Sequence, residues 1–145
     1  MRARDIMTGN PQYVTTQDSV QRAAQIMRDN DIGMVPAVDD RESCRLRGVL
    51  TDRDIAVRCV AENRNGDSRV IDLMSRDLVT ARPDDQLEEV MDRMKAEQVR
   101  RIPVIDDGDR LLGIIAQADI ALEGPGDQAT ATVVERISEP GRRAR

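Results

Sequence analysis

The chain has 145 residues, of which 39% are hydrophobic, and a formal net charge of −5. That length suits one compact domain or two small, tightly joined halves, and the acidic balance argues against a broad face for a phosphate backbone. With one tyrosine and neither phenylalanine nor tryptophan, the core must be Val, Ile, Leu, Met and Ala, and no aromatic platform is available for stacking nucleic-acid bases.

Histidine is absent, which removes the commonest general base, the usual triad partner and the commonest metal ligand. Cys44 and Cys59 lack CxxC spacing and make no zinc site. In a reducing cytosol they are expected to be free thiols, with a redox disulfide as the lesser alternative. No apolar run approaches the roughly 20 residues needed to cross a bilayer. The N-terminus, Met1 to Met7, carries no secretory apolar core. A cytoplasmic protein is expected.

The elements come in two copies. Asp5-Ile6-Met7-Thr8 recurs as Asp72-Leu73-Met74-Ser75, a shift of 67 positions. The same shift carries Asp18 to Asp85, Met27 to Met94, Pro36 to Pro103 and Asp39 to Asp106. Two extra residues in the first copy's loop reduce the shift to 65, after which Gly48 maps on Gly113 and Asp54 on Asp119. Such self-similarity in one register marks a tandem repeat.

Each copy opens with an extended piece (Gln12 to Thr15; Leu78 to Ala81) and a turn, then a helix. Apolar residues fall at helical spacing in both helices: Val20, Ala23, Ala24 and Met27, then Leu87, Val90, Met91 and Met94. A proline-containing strand follows (Gly33 to Val38; Arg100 to Ile105), then a polar hairpin (Asp39 to Arg47; Asp106 to Arg110). A second strand (Gly48 to Leu50; Leu111 to Ile115) runs into a last helix (Asp52 to Ala61; Gln117 to Leu122). The fold class is thus α/β in the α+β sense, two β-α-β-β-α units expected to pack sheet to sheet about a pseudo-twofold axis. One unit of about 60 residues is marginal alone. The boundaries are residues 1–62 for the first unit, 63–69 for a polar linker, 70–122 for the second and 123–145 for a tail. Within the tail, residues 129–138 (Val133, Val134, Ile137) suggest one more short helix, and the basic end from Arg142 to Arg145 reads as a solubilising segment. Met27, Met34, Met74, Met91 and Met94 read as core or interface filler, and Tyr13 as a surface or rim residue.

Chemistry concentrates at Thr51-Asp52-Arg53-Asp54. A strand there runs straight into a helix, and unpaired backbone N–H groups at such a start suit an anion. Thr51 and Asp54 also have the spacing of a capping pair, a purely structural alternative. The second copy keeps Asp119 but has Ala116 in place of the threonine, and a first-turn helix carboxylate is the close alternative reading of Asp119. Arg100 and Arg101 are either phosphate cations or an ordinary solvated pair.

These motifs resemble paired CBS domains, the Bateman module. The resemblance rests on Asp5-Ile6-Met7-Thr8 with Asp72-Leu73-Met74-Ser75, on Ile32-Gly33-Met34-Val35-Pro36 with Val99-Arg100-Arg101-Ile102-Pro103, and on Gly48 to Asp54 with Gly113 to Asp119. It covers residues 3 to 122 and leaves no catalytic domain, as in small stand-alone bacterial CBS-pair proteins. It implies an adenosyl ligand (AMP, ADP or ATP, less readily NAD or S-adenosylmethionine), two clefts between the copies, and a disc-like homodimer. In the first cleft Thr51 would meet phosphate or ribose, Arg53 would reach phosphate or else point to solvent, and Asp54 would meet the ribose, since a carboxylate accepts from both hydroxyls of a cis-diol. Val79 and Val99 would flank the adenine beside Gly33 and Met34. In the second, Asp119 would act with Arg100 and Arg101, and Gln12 and Ile32 would line the base pocket. Ala116 and Met34 depart from the phosphate-binding pattern, so one cleft is expected to bind well, the first being favoured.

The leading functional reading is a homodimeric regulatory sensor of adenine nucleotide that acts on a regulated protein of unknown identity. The alternative is a nucleotide-free scaffold for protein interaction. Catalytic residues and a metal site are not expected: no nucleophile is paired with a base, and a GxxxxGK[ST] phosphate loop is missing. Neither nucleic acid nor membrane is expected as a partner.

Overall fold

The computed structural model describes residues 1–123. The helix expected over residues 129–138 and the basic end therefore lie outside the described residues. In chain order the elements are α1 (Ala3–Ile6), β1 (Thr8–Gly9), β2 (Val14–Thr15), α2 (Val20–Asn30), β3 (Met34–Val38) and β4 (Leu46–Thr51). They continue with α3 (Asp52–Asp54), which passes into a π-helical stretch Ile55–Val60, and a 3₁₀ turn Val70–Asp72. α4 (Leu87–Glu97), β5 (Arg101–Ile105), β6 (Leu111–Ala116) and α5 (Gln117–Glu123) complete the described chain. The fold is mixed α/β with two three-stranded sheets, ordered β2-β3-β4 and β1-β6-β5.

The two long helices follow from the sequence spacing. Ser19 precedes α2, its side-chain oxygen accepting from the Arg22 N–H at 3.1 Å, which satisfies one of the donors a helix start leaves over. Val20, Ala23, Ile26 and Met27 form the buried stripe of α2, Ile26 being buried where Ala24 was expected and Ala24 only partly so, and Leu87, Val90, Met91 and Met94 form that of α4. Each helix ends on a residue in the left-handed conformation, Asp31 and Gln98. The N–H of the next residue then folds back, Ile32 to the Met27 carbonyl and Val99 to Met94.

The sheets are not each made by one copy. β1, at the start of the first copy, pairs with β6 of the second, Thr8 opposite Ile114. Ser75, at the start of the second copy, exchanges backbone hydrogen bonds of 3.0 and 2.9 Å with Val49 of β4. The opening segments are exchanged in the same way: the Ala3 N–H donates to the Asp85 carbonyl, and the Val70 N–H to that of Asp18. Each core therefore contains residues of both copies. Ala3 and Ile6 join the cluster around Leu87, Met94, Ile102 and Ile115, while Val70, Leu73 and Met74 join that around Val14, Ile26, Val35 and Leu50. Burying about 25 cal/mol per Å² of apolar surface across the join ties the two copies together.

The five methionines expected as filler are all buried. Cys44 and Cys59 are buried free thiols in different clusters, Cys44 with Val38 and Leu111, Cys59 beside Val14 and Val20. Tyr13 is partly buried against the Cys44 cluster, with Arg41 over its ring. The last helix of the first copy differs from the expected continuous α-helix over Asp52 to Ala61. After one α-turn the bonding lengthens, the Ala61 N–H reaching the Ala56 carbonyl. The branched residues Ile55, Val57 and Val60 are stiff at χ1 and weak helix formers.

Candidate functional site

Thr51 ends β4 opposite Met34, and the chain turns at once into α3. Thr51 and Asp54 cap each other: the Asp54 N–H donates to Thr51 Oγ1 and the Thr51 N–H to Asp54 Oδ2, both at 3.0 Å. The Asp52 N–H donates to the Gly33 carbonyl at 2.9 Å and the Arg53 N–H to Asp52 Oδ1 at 2.8 Å. The backbone donors of this helix start are thus taken by the protein itself. That corrects the expectation that unpaired N–H groups here await an anion. A phosphate at this place must be held by side chains, and the structure supplies arginines for it.

A cavity of about 270 Å³ opens beside this turn, between the two copies. The first copy contributes Met34, Thr51, Arg53, Asp54 and Arg58. The second contributes Val79, Val99, Arg100 and Arg101. Val79 and Val99 are partly buried against the second copy's core. One oxygen of Asp54 is used in the cap; the other lies 4.0 Å from Arg58 Nε, beyond hydrogen-bond range, and can accept from a ligand hydroxyl. Chemically the cavity pairs apolar walls with two carboxylates, Asp54 and Asp77, and four guanidinium groups.

A second cavity, of about 420 Å³, is lined by Asp31, Ile32, Gly33, Asp52, Arg100, Arg101, Ala116, Gln117 and Ala118. Gly33, expected beside the first cavity, lines this one instead. The grouping expected for a second cleft is also changed. Arg100 and Arg101 line both cavities and sit with Thr51 and Asp54, while Asp119 and Gln12 line neither. Val99, Arg100 and Arg101 follow one another into the start of β5, and all three border the first cavity. Asp119 Oδ2 accepts from the Ala116 N–H at 3.0 Å, half of the cap made by Thr51 and Asp54. Ala116 lacks the hydroxyl for the other half.

Sequence reasoning missed Val49, Arg58, Ser75, Asp77 and Pro103, all of which border the first cavity. Ser75 closes the repeated Asp72-Leu73-Met74-Ser75 motif, and Arg58 stands four residues beyond Asp54. Both were legible as positions but not as cleft residues. Among the described residues no group of three or more His, Cys, Asp or Glu side chains is placed to hold a metal ion, and no helix is long and apolar enough to cross a membrane.

The family model for the CBS domain matches residues 3–60 and 70–125. This chain belongs to the CBS domain family. As a CBS pair it is 36% identical to hypoxic response protein 1 of Mycobacterium tuberculosis over 139 residues, 95% of this chain and 94% of that protein. The crystal structure of that hypoxic response protein, with two coordinated zinc ions, superposes with a TM-score of 0.78, covering 86% of this chain and 100% of that one. The CBS pair of protein MJ0100, solved with 5′-methylthioadenosine and S-adenosyl-L-methionine, is 29% identical with a TM-score of 0.72, covering 84% and 94%. CBSX2 in complex with AMP is 25% identical with a TM-score of 0.72, covering 83% and 93%.

Proposed function

We propose that this CBS pair is a regulatory module that binds an adenine nucleotide in the 270 Å³ cleft and works as a homodimer. The observation that carries the reading is the cleft's composition, with Asp54 and Arg53 on one side and Val79, Val99, Arg100 and Arg101 on the other. Val79, Val99 and Met34 offer an adenine apolar walls. Asp54 offers a ribose diol an acceptor. Arg53, Arg100 and Arg101 offer phosphate oxygens charge-assisted donors. Thr51 acts chiefly by holding Asp54 in place, and Asp119, Gln12, Ile32 and Gly33 have no role in this first cleft.

Both an adenosine phosphate and a sulfonium nucleoside are found in structural relatives. Four arginines against Asp54 and Asp77 favour the anionic ligand, because a sulfonium cation would face like charges at close range. AMP, ADP and ATP are therefore the preferred candidates, ahead of NAD and S-adenosylmethionine. Val57 and Val60 are 49% and 69% exposed on the π-helical stretch of the first copy. They provide an apolar surface for a second copy of the chain.

Isothermal titration with AMP, ADP, ATP, NAD and S-adenosylmethionine tests the ligand. Binding of at least one adenosine phosphate, at one site per chain, is expected. Absence of heat and of any competition with all five would leave the nucleotide-free scaffold as the function.

A further inference from the structure

Arg58 was not among the residues singled out by sequence, yet it stands where the two copies and the cleft meet. It lies on the π-helical stretch of the first copy, a helix form found frequently at functional sites. Its Nη1 donates to two carbonyls of the second copy, Leu73 at 3.2 Å and Met74 at 3.3 Å. Its Nε lies 4.0 Å from Asp54 Oδ1. The segment it holds is the one that crosses onto β4: Ser75 pairs there with Val49, and Ser75, Asp77 and Val79 form a wall of the cleft. One guanidinium thus faces the carboxylate side of the cleft and grips the root of the opposite wall.

We propose that Arg58 is a positioning residue of the cleft, setting the distance between the Asp54 side and the Ser75–Val79 wall and not holding the ligand's phosphate. The proposal rests on the adenosyl reading above for its ligand, but the clamp itself is a property of the free protein. Nη1 is engaged by two carbonyls of the crossing segment and Nε stands nearest the Asp54 carboxylate, so Arg58 acts on the nucleoside through the wall. Arg101 is different. It lines the cleft, and no such grip on the crossing segment is seen for it.

The test compares adenosine and AMP as probes on the full chain with Arg58→Lys, Arg58→Gln and Arg101→Gln. Both Arg58 variants are expected to weaken adenosine and AMP alike, by about tenfold, leaving the ratio of the two dissociation constants unchanged; tenfold corresponds to about 1.4 kcal/mol. Arg101→Gln is expected to weaken AMP and spare adenosine. Hydrogen exchange without ligand gives a second readout, since the Ser75 and Val49 amides should exchange faster in both Arg58 variants. A loss confined to AMP would make Arg58 a phosphate contact and overturn the proposal, as would unchanged affinities or unchanged exchange at Ser75 and Val49. If the natural chain binds neither probe, the adenosyl reading fails, and the exchange measurement alone decides whether Arg58 clamps the segment.

Discussion

Met74 lies directly on Gly48. A Cβ built on that glycine would fall 2.7 Å from Met74 Sδ and 2.6 Å from the Ser75 carbonyl oxygen. The second copy repeats the contact, with Met7 Sδ at 2.9 Å and the Thr8 carbonyl at 2.7 Å from a Cβ on Gly113. The glycine of each second strand is thus the seat for the opening segment of the other copy. The methionine and the glycine recur together because one packs on the other.

Gly48→Ala and Gly113→Ala should each destabilise the protein by about 1–3 kcal/mol, the usual cost of forcing a group into a filled site. The obstacle in both is a backbone oxygen, which cannot swing aside as a side chain can. Gly9→Ala is the control, since a Cβ there meets nothing within 4 Å, and it should change stability by less than about 0.5 kcal/mol. Urea denaturation with a common m-value distinguishes these outcomes. Equal stability of Gly48→Ala and Gly9→Ala would contradict the packing argument.

The unequal caps give a second prediction. Thr51→Ala removes the acceptor for the Asp54 N–H and should cost about 1 kcal/mol, whereas Ala116→Thr restores the missing half of the Asp119 cap and should gain a similar or smaller amount. Thermal or urea denaturation measures both. A destabilised Ala116→Thr would show that the second turn does not follow the geometry of the first.

Met94 is fully buried in the second copy's core. Met94→Ala should cost about 2–5 kcal/mol. Because Ala3 and Ile6 belong to the same cluster, amide exchange should speed up at Ala3, whose N–H donates across to Asp85, as well as within α4. Loosening confined to the second copy would contradict the shared core.

The proposed homodimer places Val57 and Val60 against a second copy. Val60→Asp should convert it to monomer in sedimentation equilibrium while leaving the melting of the isolated chain little changed, because surface substitutions usually stay within about 0.5 kcal/mol. A dimer that persists in Val60→Asp would move the contact to another face.

Much of this was legible in the sequence. The repeat of Asp5 to Thr8 as Asp72 to Ser75, and of Pro36 as Pro103, made two like units readable, and helical spacing gave the buried face of α4 and most of that of α2, where Ile26 and not Ala24 is buried. The exchange of opening segments was not readable. Pairing of Thr8 with Ile114, or of Ser75 with Val49, joins residues distant in the chain whose own patterns are too short to specify a partner. The cleft was half legible. Thr51, Asp54, Val79 and Val99 were singled out and border one cavity, whereas Arg100 and Arg101, expected in the second cleft, line both cavities. The occupied N–H groups at Asp52 and Arg53 were also out of reach. Their acceptors are a carbonyl from the preceding strand and a neighbouring side chain, which only the fold brings into line.

The central claim is tested most directly by thermal shift with AMP, ADP and ATP on the natural chain, on Asp54→Ala and on Asp119→Ala. A nucleotide at about 100 times its dissociation constant should stabilise the natural chain and Asp119→Ala by about 2.7 kcal/mol, and Asp54→Ala far less. A shift kept by Asp54→Ala and lost in Asp119→Ala, or no shift in any of the three, would contradict binding in the Thr51–Asp54 cleft.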